Sequence, residues 1–142
     1  MAERDVLVLR AGESQRCVLS ISEPAYHDYR LVLHTSWGDV SAAGHDLFDA
    51  LANLRRELER TGWMIAVQGS RRQAYASGLL RDMHGATRVY ICEPGRIATR
   101  ADLVEIFAEA PIDDIVTVEQ QAAFYRAWRA SLPRDPRSPV GG

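Results

Sequence analysis

The chain has 142 residues, 46% hydrophobic and 25% charged, with a formal net charge of −2. This is the length of one ordinary domain, large enough to bury a core without a metal or disulfide staple. The charge balance excludes a generally basic nucleic-acid binder, and no apolar run approaches the roughly 18 residues of a membrane-spanning helix.

The elements follow in chain order. Residues 5–9 (DVLVL) form a short apolar run closed by Ala11-Gly12, which predicts a strand and a turn. Residues 15–22 alternate, with Cys17, Leu19 and Ile21 on one side, and Glu23-Pro24 is expected to break that strand. Residues 29–37 alternate again, with Tyr29, Leu31, Leu33, Thr35 and Trp37 sharing a face. The three predict an antiparallel meander with one buried face.

The period then becomes helical. Between 45 and 60 the apolar positions are Leu47, Phe48, Leu51, Leu54 and Leu58. Gly62 supplies a stop, and Arg55, Arg56 and Arg60 lie toward the negative end of the helix dipole. Residues 63–67 (WMIAV) predict a central strand. Ser77 can cap a short helix over 78–83. Residues 87–92 (TRVYIC) predict another strand. Residues 101–107 (ADLVEIF) fit either a helix or a strand pairing back onto 87–92, with the strand preferred. Thr117 and Gln120 form a capping box, followed by a helical stripe of Val118, Ala122, Tyr125, Trp128 and Leu132. Phe124 falls off that stripe and would be a contact residue if exposed. The proline-rich, polar stretch 133–142 predicts a disordered tail.

Strands grouped ahead of a helix, without strict alternation, predict an α+β domain over 1–132. Its expected form is a mostly antiparallel β-sheet with two main helices on one face.

Several chemistries are excluded by residue type. The chain has no lysine, so Schiff-base and Walker-type lysines are excluded. Cys17 and Cys92 each sit in an apolar run, form no CxxC pair and have no histidine beside them. They read as buried free thiols in a cytoplasmic protein. The acidic N-terminal stretch ahead of a short apolar run does not read as a signal peptide. His45 and Asp49 stand at i, i+4 but lack a third ligand in register, so neither metal nor cofactor is expected. Asp113-Asp114 could pair as acid and base, but adjacent loop acids before a helix favour solvation. His34 reads as a solvent-facing strand residue. A Ser77/His84/Asp82 nucleophile site lacks the GxSxG elbow.

Charge patterning is more informative. Residues 69–100 carry six arginines and two acids. Residues 101–119 carry six acids (Asp102, Glu105, Glu109, Asp113, Asp114 and Glu119) and no base. A segregated acidic face suits steering toward a basic partner. The arginine-rich loop 69–85 offers a different site. Arg71, Arg72 and Arg81 could converge on the helix end capped by Ser77 and hold a phosphate or carboxylate. No nucleic-acid motif accompanies these arginines, and nucleic acid is not expected as a partner.

Gly62-Trp63, AYASGLLRDM and DLVEIF also carry a resemblance. Over 62–132 the chain resembles a loose group of small uncharacterised bacterial proteins sharing AY-x-SG-x-x-RDM-x-G and DLV-[DE]-IF. The resemblance implies no catalytic residue. In size and organisation the chain is also similar to immunity proteins of bacterial toxin systems. The expected function is a non-catalytic protein-binding module, most concretely an immunity-type inhibitor. Its acidic face (Glu105, Glu109, Asp113, Asp114, Glu119) would occlude a basic toxin surface. The alternative is an anion-binding or enzymatic domain using Arg71, Arg72, Ser77 and Arg81. A third reading is a homodimer paired through an edge strand or the C-terminal helix.

Overall fold

The structure, a computed structural model, describes residues 2–133. Apart from Pro133, the tail expected over 133–142 lies outside the described residues.

The first four strands form an antiparallel meander, of which the first three were expected: β1 (Ala2–Arg10), β2 (Glu13–Ala25), β3 (Asp28–Thr35) and β4 (Gly38–Gly44). Alternation decides which side is buried, because successive side chains leave opposite faces of a strand. Val6, Val8, Cys17, Leu19, Leu31 and Leu33 all turn into the core. β2 runs past Glu23-Pro24, where the expected break becomes a register shift between Ser22 and Ala25. An irregularity there lets proline sit where the ladder needs no N–H. β4 was not expected, because GDVSAAG has no bulky alternation. Its seven residues nevertheless all pair with β3 after a tight turn at Ser36-Trp37.

α1 (Leu47–Glu59) buries all five apolar positions of its stripe against this sheet. The Asp46 carboxylate caps it by accepting from the Asp49 N–H at 2.8 Å. Gly62, at φ +83°, ends the turn, with its N–H bonded to the Glu59 carbonyl.

The central strand expected over 63–67 is corrected. Only β5 (Met64–Ile65) pairs with β1, at the edge of the order β4-β3-β2-β1-β5. Ala66 and Val67 are buried as expected of an apolar run, but they form the seam to a second sheet. The Ala110 N–H bonds the Ala66 carbonyl at 3.1 Å, and Val67 bridges Glu109.

The second sheet contains β6 (Ala74–Tyr75), β7 (Arg88–Ile91) and β8 (Leu103–Glu105), in the order β6-β7-β8. The strand reading of 101–107 holds, with Val104 opposite Val89. The antiparallel strands are thus divided between two sheets, where one was expected. Between β6 and β7 lies α2 (Gly78–His84). α3 (Val118–Ser131) follows the expected capping box of Thr117 and Gln120. Its stripe differs: Ala122 is exposed and Gln121 is buried beside Trp128. Phe124 is half-buried. The fold is a mixed α and β arrangement with α1 on the larger sheet, and α3 stacks Tyr125 on Tyr75 of the smaller one. Among the described residues no helix is long and apolar enough to cross a membrane.

Candidate functional site

The arginines of loop 69–85 have separate partners. Arg71 pairs with Asp114 at 3.0 Å and donates to Gln68 Oε1 at 2.8 Å. Arg81 donates to the Ala76 carbonyl at 3.1 Å, approaches the Asp46 carboxylate at 3.7 Å and lies over the Phe48 ring. Arg72 is exposed and donates its backbone N–H to the Asp114 carbonyl. Ser77 does cap α2, accepting from the Leu80 N–H at 3.3 Å. Arg71 is therefore held to the 112–114 turn and Arg81 to the start of α1, and the structure does not bring the two together on the cap.

The acidic run is largely neutralised within the molecule. Glu105 pairs with Arg4, Glu109 with Arg16 at 2.6 Å, and Asp114 with Arg71. Asp102 takes Arg96 on both oxygens, at 2.8 and 3.2 Å, and accepts from the Thr99 N–H. The Arg96 guanidinium holds the Asp102 carboxyl below the usual carboxylate range. Among the described residues, Asp113 and Glu119 are the carboxylates of this run without an ion-pair partner.

One arrangement escaped the sequence reading. Ser20 Oγ lies 2.9 Å from His34 Nε2, and His34 Nδ1 lies 2.9 Å from Asp39 Oδ1. The Asp39 carboxylate can only accept, which places the neutral ring's proton on Nδ1 and leaves Nε2 to accept from the Ser20 hydroxyl. These are the contacts of a nucleophile, a base and an orienting acid. They come from three adjacent strands, so no local motif announces them. The surroundings do not support acyl transfer. The trio lies on the outer face of a paired sheet whose ladder occupies the N–H groups an oxyanion would need, and Glu3 stands directly across from Ser20. The cysteines are equally unsuited to attack: burial pushes the Cys92 thiol up to about 11 and raises Cys17. The His45–Asp49 pair is a helix-start contact in which Asp49 accepts from the His45 N–H at 3.1 Å.

One concavity among the described residues is built by the smaller sheet. On β7, Val89 turns into the core, so Arg88 and Tyr90 face outward. In register with them are Glu105 and Leu103 of β8 and Tyr75 of β6. α3 covers one end of this outer face. Tyr125 stacks on Tyr75 with centroids 4.2 Å apart, and Trp128 Nε1 donates to the Arg96 carbonyl at 3.1 Å. The other end is open. There α2 stands beside the sheet and leaves a cleft of about 460 Å³.

Leu79, Leu80 and Met83 of α2, Tyr90 and Leu103 of the sheet, and His84, Arg88 and Arg100 line this cleft. α2 buries none of its residues, and Leu79 and Met83 are 67% and 66% exposed. The helix is fixed at its ends, by Ser77 and by Gly85, whose carbonyl accepts from the Leu47 N–H at 2.7 Å. Gly85 has φ +61°, and a Cβ there would meet Tyr29 Oη. Loop 69–85 is thus a connection with the expected Ser77 cap, and its apolar residues furnish one wall of the cleft. No protein-family model matches the chain, and no curated protein matches it.

Proposed function

We propose that the chain is a non-catalytic protein-binding domain whose contact surface is the cleft between α2 and the smaller sheet. The observation that carries this reading is the pair Leu79 and Met83, two large apolar side chains left mostly in water on a helix without a fully buried residue. Clustered exposed apolar groups with a polar rim mark contact surfaces, and flexible methionine adapts to a partner. The two buried free thiols suit a reducing compartment such as the cytoplasm.

The immunity-type reading, in which acidic residues occlude a basic surface, is supported by Asp113 and Glu119, which remain unpaired. Photo-cross-linking in cells of the source organism separates the two. A benzoyl-phenylalanine at Leu79 should give a discrete protein adduct that disappears with Met83→Ser. An adduct from Asp113 or Glu119 alone would move the contact to the acidic segment. No adduct from any of the three would refute the binding reading.

A further inference from the structure

We infer that the cleft accepts a segment of a partner protein that carries carboxylates next to apolar side chains. This rests on the cleft being the contact surface and adds the chemistry of what fills it.

Arg88 stands opposite Glu105 in the β7–β8 register, on the same face. Such a cross-strand pair would ordinarily cancel, but Glu105 is engaged by Arg4 of β1. Arg100 lies two residues from Asp102, whose two oxygens are occupied by Arg96 and Thr99. Each cleft arginine has therefore lost its natural partner to another arginine. Among the described residues neither has a carboxylate in ion-pair contact, and no acid lines the cleft.

These cations flank an apolar lining of Leu79, Met83, Leu103 and Tyr90. A guanidinium fork favours a carboxylate, and the gain grows where the neighbours exclude water. The occupant should therefore place an apolar group on the lining and acids at the rim. Exposure chooses a protein segment over a small molecule. Leu79 and Met83 are two-thirds in water, so a molecule confined to the cleft would leave much of them wet, whereas a segment lying across α2 would cover them.

The test is a display selection of short random peptides on the wild-type chain, counter-selected on the Leu79→Ser/Met83→Ser variant. Affinities of synthetic copies are then read by fluorescence polarisation. The expected peptides pair Asp or Glu with Leu, Ile or Phe. Arg88→Gln/Arg100→Gln should weaken them by at least about tenfold, and amidating the peptide carboxylates should do the same. Circular dichroism verifies that each variant is folded.

Peptides that need Leu79 and Met83 but carry no acid, or that ignore Arg88 and Arg100, overturn the inferred chemistry and leave the cleft as the contact surface. A selection that yields nothing, or peptides indifferent to Leu79 and Met83, overturns both. The chain's own exposed Ile112 and unpaired Asp113 have the required chemistry. Self-association in light scattering, lost in Asp113→Arg, would make a second copy the occupant and overturn the assignment to a different protein. A carboxylate-bearing small molecule retained in native mass spectrometry, and lost in Arg88→Gln/Arg100→Gln, would overturn it as well.

Discussion

Replacing Gln121 by leucine tests how α3 is held to the rest of the molecule. Gln121 is 5% exposed and Arg55 is 3% exposed. The Gln121 amide accepts from Arg55 Nη1 at 2.7 Å and donates to the carbonyls of Gly69 and Arg71 at 2.9 and 2.8 Å. Arg55 also donates to the Val116 carbonyl at 2.8 Å. Among the described residues no carboxylate forms an ion pair with Arg55, and burial lowers its pKa to about 10. Gln121→Leu keeps the volume but orphans one guanidinium donor and the Gly69 carbonyl; Arg71's carbonyl still accepts from the Ala74 N–H. At about 1–3 kcal/mol per orphaned buried group, the loss should be about 3 kcal/mol, or roughly 10 °C in midpoint for a chain of this size. Arg55→Met orphans Gln121 Oε1 and the Val116 carbonyl but relieves a buried charge, so about 2 kcal/mol is expected. The double variant leaves only two orphaned carbonyls and should fall short of the summed losses by about 2 kcal/mol. Urea unfolding followed by tryptophan fluorescence measures all three. Strict additivity, or a Gln121→Leu loss below about 0.5 kcal/mol, would refute the account.

Three further outcomes follow from the geometry. Tyr75, through burial and its bond to Tyr125, and Tyr29, through its bond to Glu23 and burial, are pushed up to about 12. A folded phenol then keeps a proton that the unfolded one releases near 10, so the contribution is full below that pH and lost as pH rises toward 12; the urea midpoint of Tyr75→Phe should fall less steeply over this range, and equal slopes would contradict it. Gly85→Ala forces a side chain into the left-handed region and against Tyr29 Oη, and should cost at least about 1–2 kcal/mol in thermal unfolding while weakening any cleft ligand; an unchanged midpoint would show that Gly85 is not required. The chain should hydrolyse p-nitrophenyl acetate no faster before than after Ser20→Ala, because no oxyanion donors face Ser20; a Ser20-dependent acyl adduct in intact-mass analysis would reverse that reading.

Where apolar periodicity was strong, the sequence was sufficient. The stripe of α1, the alternation of β1 to β3 and the capping box at Thr117 each need only local pattern, and each appears in place. β4 and β6 were missed for want of such a pattern. Glycine, serine and alanine in β4 carry little period-two signal, and two residues of β6 are too short to show one. Residues 63–67 looked central because they form an apolar run, yet Ala66 and Val67 owe their burial to the seam between two sheets. Gln121 was overlooked because a polar residue on a helix reads as solvated until its buried partner, 66 positions away in Arg55, is known. The cleft was hidden for the same reason. Leu79 and Met83 look like ordinary helix residues, and their exposure depends on α3 covering only the Tyr75 end of the small sheet.

The segregated charge of 69–119 acquires its meaning only in three dimensions. The acids of 101–119 reach back to Arg4 on β1, Arg16 on β2, Arg71 in the loop and Arg96 before the 100–102 turn. The exposed pairs among them, Arg4–Glu105 and Arg16–Glu109, each contribute about 0–1 kcal/mol and do not hold the fold together. Their larger effect is on where charge is left over. Four arginines are neutralised by a segment adjoining the cleft, and two of those pairs use Glu105, opposite Arg88 in register, and Asp102, two residues from Arg100. An acidic run that looked like a docking face thereby leaves a small cationic site beside it. Because that site is edged by Leu79 and Met83, its residual charge falls where displaced water would strengthen it. The apolar surface and the unpaired arginines are thus properties of one place, and one occupant answers both.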